Sequence, residues 1–308
     1  MMAATRKSKP QSAHAISTHS LTKRYGKHRG IDRLNLDVAH GEVFGFLGPN
    51  GSGKSTTINL LMGFRRPTSG SATVLGHPVG PDAVVIRRRV GYMPGELALY
   101  ERMHAHELLE YFGRLRGEVD QQGIRTLADR FGLDLSRQIG ELSKGNKQKV
   151  ALVAAWMNQP ELLILDEPTS GLDPLMQQEF MALVRESTRA GATVFLSSHD
   201  LAEVEHLCDR AAIIKEGRLL AVERISDLHQ KGGRRVEAVF TKTPPASILT
   251  KIPGVFDRTL DRRRLTATVH GPIDPVIKAL AKHRLESLEI EHASLEQLFF
   301  QEYHEESA

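Results

Sequence analysis

Cysteine is nearly missing from this chain: Cys208 is the only one in 308 residues, so no disulfide can close within it. Set between Leu207 and Asp209, its thiol is expected to act as a small core residue. The scarcity of thiols fits a reducing compartment. Long apolar runs are missing as well. The longest, Val150 to Met157, is far short of the roughly 20 residues that a helix needs to span a membrane. Met1 to Pro10 carries Arg6, Lys7 and Lys9 without an apolar core, which excludes a secretory signal. Nor is charge of one sign massed anywhere, since 41 basic and 37 acidic residues leave a net +4. Arg87-Arg88-Arg89 and Arg262-Arg263-Arg264 are short, each a solvated face or turn rather than a nucleic-acid stripe. No nucleic acid is expected as a partner, and any work at a membrane has to pass through another chain.

What is present is an ordinary globular composition, 40% hydrophobic and 25% charged. The length fits one large α/β domain plus a small one. Its centre is Gly48-Pro49-Asn50-Gly51-Ser52-Gly53-Lys54-Ser55-Thr56. The spacing G-x-x-x-x-G-K-[S/T] is that of a phosphate-binding loop. The bland alternative is a glycine-rich turn with an incidental lysine. The context decides against it: the apolar run Val43 to Leu47 predicts a buried strand before the loop, and Thr57 to Met62 predicts a helix after it. Glycines let the backbone fold into a nest whose N–H groups face anionic oxygens, and the helix adds its positive end. Lys54 is expected to reach the β- and γ-phosphates, and the Ser55 hydroxyl to take one Mg²⁺ position.

Around the loop the chain alternates strands and helices. Residues 1–14 are expected to be a disordered tail. Ala15 to Gly26 predicts a strand and turn. Ile31, Leu34, Leu36 and Val38 mark a half-buried strand. Tyr25 is either a core tyrosine or a ring that stacks on a base, and the phosphate loop downstream favours stacking. Ser71 to Leu75 and Val90 to Met93 are further strands. From Tyr100 to about Gln138 the pattern turns helical, with Leu108, Leu109, Phe112 and Leu115 on one stripe. Leu162 to Leu165 is a run suited to a strand buried on both faces of a parallel sheet, and it leads into Asp166-Glu167. Thr193 to Ser198 repeats that logic and leads into His199. Past residue 232, with Lys231-Gly232-Gly233 as a hinge, strands at Val236 to Phe240 and Leu265 to Val269 announce a small α+β domain. Its helices are expected to start at Asp274-Pro275, an N-cap with proline behind it, and at the capping box of Ser294 and Gln297.

Asp166 is placed to hold Mg²⁺ directly or through water. Glu167 can orient or deprotonate a water for attack on a γ-phosphate. His199 can contact that phosphate and sense its loss. Alone, each is an ordinary strand-end residue. In this order behind a phosphate loop they form one hydrolytic set.

With these residues in place, the chain resembles the nucleotide-binding subunit of ABC transporters. Leu142-Ser143-Lys144-Gly145-Asn146 resembles the family signature, Ser170-Gly171-Leu172-Asp173 its D-loop, Tyr25 its A-loop aromatic and His199 its switch histidine. The resemblance covers roughly residues 15–230. It implies a P-loop NTPase (RecA-like) core with a mixed sheet over 15–232, a helical subdomain at about 96–160, and a C-terminal accessory domain over 233–308. It further implies a head-to-tail homodimer with ATP and Mg²⁺ at the interface, each ATP on one phosphate loop and under Ser143 and Gly145 of the other copy. A separate polytopic membrane permease follows as a partner, with this chain peripheral on the cytoplasmic face. The signature departs from the family pattern at Lys144 and Asn146, and Gly95 stands where the Q-loop glutamine is expected. Both departures are similar to those of ABC-2-type exporters. The competing class is a soluble ABC ATPase acting on nucleic acid or ribosomes. Tandem nucleotide domains or a long coiled coil would mark it, and the sequence has neither. A module that binds ATP without hydrolysing it is disfavoured by Glu167 and His199.

Overall fold

The computed structural model describes residues 13–117 and 119–292. The chain divides into two compact units, residues 1–222 and 223–308. Among the described residues no helix is long and apolar enough to cross a membrane.

The first unit opens with a hairpin of β1 (His14–Tyr25) and β2 (His28–Ala39). All four apolar positions expected on β2 are buried, although Ile31 and Leu34 are out of step for a period of two. The ladder explains it. Lys23 pairs with Ile31 but Leu21 pairs with Leu34, and the extra residue, Arg33, has φ +49°. A bulge there resets the alternation and keeps both side chains inward. The strand β3 (Val43–Leu47) is buried at every position and leads through the phosphate loop into α1 (Lys54–Leu61). Next come β4 (Ser69–Val74), β5 (His77–Pro78), α2 (Ala83–Arg89) and β6 (Val90–Met93). A helical stretch follows, with α3 (Ala105–Arg116), α4 (Gln121–Arg130) and α5 (Lys144–Trp156). The chain returns as β7 (Leu162–Asp166), α6 (Pro174–Arg189), β8 (Thr193–Ser198), α7 (Leu201–Leu207), β9 (Arg210–Lys215) and β10 (Arg218–Arg224).

Two sheets result. One is antiparallel, in the order β2-β1-β4-β5, and the other runs β10-β9-β3-β8-β7-β6. In the second, β6, β7, β8, β3 and β9 are parallel, and a two-residue turn at Glu216 and Gly217, both at positive φ, folds β10 back as the edge. This is the mixed sheet of a P-loop NTPase, layered with helices. Its middle is aromatic: Phe195 on β8 lies 6.0 Å from Phe44 and 5.4 Å from Phe46 on β3. The expected helical stripe is shorter than it looks in sequence. Leu108 and Leu109 are fully buried, but Leu115 is 59% exposed. The helix has run past the core by its last turn, and Leu115 faces out. Cys208 is buried, as its neighbours suggest.

The second unit holds α8 (Ile225–Gly232), β11 (Arg234–Phe240), β12 (Val255–Asp261), β13 (Arg264–Val269), α9 (Asp274–Leu280) and β14 (Leu285–His292). Its sheet order is β12-β13-β11-β14, antiparallel throughout. That is the split βαβ arrangement of ferredoxin-like α+β domains, with successive turns over 245–252 in place of the first helix. Val236, Ala238, Phe240, Leu265, Val276 and Leu280 form its core. Two sequence expectations need correction. Lys231 and Gly232 end a helix rather than form a hinge; the chain bends at Gly233, where φ is +72°. Asp274 is the first helical residue, not the N-cap, which is Ile273. Its carboxylate instead pairs with Lys278 at 2.7 Å. Residues 1–12 of the expected tail and the Ser294–Gln297 capping box lie outside the described residues, and His14 already belongs to β1.

Candidate active site

The register of the parallel strands builds the site. Leu47 at the end of β3 lies beside Ser198 at the end of β8, and Ser197 beside Asp166 at the end of β7. Three loops therefore leave the carboxyl ends of adjacent strands side by side, where α/β folds collect ligands. The first carries Gly48 to Ser55, the second Glu167 and the third His199.

Glycine is required in the first loop. A Cβ on Gly48 would lie 2.3 Å from the Ile214 carbonyl oxygen and 2.6 Å from Ser52 Oγ. Gly53, at φ +112°, would press on the Gly30 carbonyl oxygen at 2.7 Å. Gly51 has φ +80° but open space around it. Ser52 is buried, and its amide donates to the Pro49 carbonyl at 3.2 Å. Lys54 is only 5% exposed. Its ammonium donates to the carbonyls of Gly48 at 2.7 Å and Pro49 at 3.3 Å, so the loop curls around its own lysine. Ser55 is exposed on the first turn of α1, with Pro49, Asn50 and Thr56 flanking the loop's mouth.

Lys54 Nζ also lies 3.4 Å from Glu167 Oε1, while Glu167 Oε2 lies 3.3 Å from His199 Nδ1. The predicted catalytic trio is thus brought together as one chain of contacts. Glu167 has φ +50°, a conformation that side chains rarely adopt. Its amide is fixed by the Ser197 carbonyl and hydroxyl, both at 3.2 Å. Asp166 is buried and accepts the Ser197 hydroxyl at 2.5 Å. Gly95 stands over Asp166: a Cβ there would be 3.3 Å from its carboxyl carbon and Oδ2. Nearby, Tyr92 is pushed up to about 12, first by burial and then by the Asp166 charge.

The other predicted residues lie at the periphery. Tyr25 is 44% exposed, with Lys23 Nζ 5.3 Å from its ring centre; it is not a core tyrosine. Ser143 is the N-cap of α5 and accepts from the Asn146 amide at 3.3 Å. Gly145 faces the Gly171 carbonyl, 3.0 Å from where a Cβ would sit. The Lys144 side chain lies against Gly171, 3.8 Å from where a Cβ there would sit.

Known proteins match this architecture. The family model described as ABC transporter matches residues 31–170. The linearmycin resistance ATP-binding protein LnrL of Bacillus subtilis is 33% identical over 92% of this chain and 96% of its own length. The chain belongs to the ABC transporter family. It is 38% identical over 69% of its length to the probable multidrug ABC transporter ATP-binding protein YbhF of Escherichia coli, of which it spans only 38%. A solved ATP-binding subunit of an ABC transporter matches 70% of this chain and 92% of that one, with a TM-score of 0.66 and 31% identity.

Several residues that build the arrangement around Lys54, Asp166 and Glu167 escape a motif search. Ser197 and Ser198 look like ordinary ends of a buried strand, yet Ser197 ties Asp166 to the Glu167 amide. Gln148 is 3% exposed and donates to the Pro168 carbonyl at 3.1 Å, joining α5 to the turn after Glu167. Nothing in the sequence signals it, since Gln148 stands between Lys147 and Lys149 in the polar first half of α5.

Proposed function

We propose that this chain is the ATP-hydrolysing subunit of an ABC-2-like exporter, energising a separate polytopic membrane permease. The observation that carries the proposal is the chain of contacts Lys54–Glu167–His199 at the ends of three adjacent parallel strands. Lys54 and the loop amides from Gly48 to Thr56 bind the triphosphate. Tyr25 stacks on the base. Glu167 holds the attacking water and takes its proton, and His199, paired to Glu167, contacts the γ-phosphate. Ser143 and Gly145 complete the site of a second copy. Their helix N-terminus offers N–H groups to an anion. Two copies then close head to tail over two ATP molecules and part after hydrolysis.

The donor set suits Mg²⁺. Ser55 and Asp166 supply hard oxygens, and among the described residues no cage of three His, Cys, Asp or Glu side chains exists. Mg²⁺ needs no such cage, because it keeps waters and substrate phosphates around one or two carboxylates. When bound it would offset phosphate charge, with Ser55 and Asp166 as its protein ligands.

Residues 15–232 form the nucleotide-binding domain in this proposal, with its helical part at about 96–160, and residues 233–308 an accessory domain. The permease docks between the helical part and the loop after β6. A cavity of about 460 Å³ opens beside the helical part, between α3 and α2, lined by Phe64, Val84, Arg87, Tyr92, Phe112 and Leu115, and Phe64 and Val84 expose 45% and 57% of their surface. The chain is thereby peripheral on the cytoplasmic face of the membrane. Affinity capture from cells tests this. A polytopic membrane protein is the expected companion; ribosomes or DNA would support the competing ATPase class.

A further inference from the structure

The end of β8, from which His199 projects, is held by a side chain outside the catalytic trio. Ser198 donates its hydroxyl to Glu203 Oε2 at 2.5 Å, and the same hydroxyl accepts the Asp200 amide at 2.9 Å. The Ser198 carbonyl in turn receives the Gly48 amide of the phosphate loop at 3.4 Å. Asp200 caps α7 by accepting the amides of Ala202 and Glu203. In an ordinary capping box the glutamate three residues on would reach back to the cap's own amide. Here that amide is taken by Ser198, and Glu203 grips Ser198 instead. Glu203 Oε1 is shut off from solvent. Burial pushes the carboxyl up from its usual range, against the pull of the Ser198 and Thr169 hydroxyls. The grip of Glu203 is thus on Ser198, the residue before His199.

We infer that Glu203 is a positioning residue for ATP hydrolysis, fixing through Ser198 the backbone from which His199 meets Glu167. This rests on the role proposed above for His199. Glutamine keeps the shape of the glutamate and an oxygen that can accept the Ser198 hydroxyl but carries no charge, so Glu203→Gln and Glu203→Ala separate the contact from the charge.

The experiment is steady-state ATP turnover by the full chain, with melting temperature recorded for every variant. Glu203→Ala is expected to lower kcat about 10-fold with KM within about 2-fold, and Glu203→Gln to restore most of it. Ser198→Ala, which breaks the same bond from the other side, is expected to lower kcat in the same way if Glu203→Ala does not fold. In a His199→Ala background neither change is expected to cost more, because both act through His199. Parental kcat in Glu203→Ala and Ser198→Ala, a Glu203→Gln as slow as Glu203→Ala, or losses that multiply with His199→Ala would each overturn the inference. Multiplying losses with a slow His199→Ala leave the proposed function standing. A His199→Ala chain that turns over at the parental rate overturns the His199 role itself, and this inference with it.

Discussion

Lys54 and Glu167 face each other across the site, Nζ to Oε1 at 3.4 Å. One comes from the helix after β3 and the other from a strained turn after β7. The pairing puts the proposed phosphate-binding cation and the proposed base on the same few ångströms of space, with His199 on the far side of Glu167.

Lys54→Ala removes the one buried cation of the loop, which is 5% exposed and bonded to the Gly48 and Pro49 carbonyls. A charge-assisted hydrogen bond contributes about 1.5–3 kcal/mol, so ATP affinity is expected to fall about 10- to 100-fold. Titration calorimetry with ATP and magnesium measures it. Unchanged affinity would remove Lys54 from the site.

Gly48→Ala tests the fit of the loop against β9. Its Cβ would meet the Ile214 carbonyl at 2.3 Å, a backbone atom that has no rotamer with which to yield. Overpacking of this kind costs about 1–3 kcal/mol. We expect a lower melting temperature and a smaller upward shift on adding ATP. Gly51→Ala meets no neighbour within 4 Å and bears only the strain of φ +80°, so its loss of stability is expected to be the lesser of the two.

Glu203 gives the chain a signed pH dependence. Burial raises its native pKa, the Ser198 and Thr169 hydroxyls oppose this, and Asp200 and His199 act with opposite signs. The buried Cys208 thiol stands close enough to feel its charge. A raised native pKa means that stability from this group is complete below the unfolded value and is lost as pH rises through the native one. Glutamine does not titrate. The melting temperature of Glu203→Gln relative to the parent is therefore expected to climb as pH rises above the ordinary glutamate value of about 4.3. A difference independent of pH, or one falling with pH, would contradict the assignment.

Phe195 holds the two strands that carry the phosphate loop and His199, lying against Phe44 and Phe46. Phe195→Ala is expected to cost about 3–5 kcal/mol in urea unfolding. A loss below about 1 kcal/mol would show that the strands are held some other way.

Much of this was legible in the residues because the chemistry is local. Gly48 to Ser55 must be contiguous to make a nest, and strands buried on both faces, such as Leu162 to Leu165, leave continuous apolar runs. The phosphate-loop motif and the strands before Asp166 and His199 therefore stood out before any coordinates. What depended on register did not. Nothing in the order of residues says that Ser197 lies beside Asp166, or that Arg33 bulges and brings Ile31 and Leu34 to one face. Leu115 looked like core because periodicity marks a face but not where the neighbouring element ends. Glu203 was hidden by its own spacing: Asp200 to Glu203 is the pattern of a plain helix cap, and only the Ser198 hydroxyl between them shows a different use.

The central claim is that two copies close over ATP, the loop of one beneath Ser143 of the other. Light scattering on the Glu167→Gln chain, with ATP and magnesium, tests it most directly, since blocked hydrolysis should trap the closed form. The expected result is a dimer that forms with ATP, is absent without nucleotide, and is weakened by adding Ser143→Ala. A chain that stays monomeric with ATP at every concentration, or a dimer indifferent to Ser143, would contradict it.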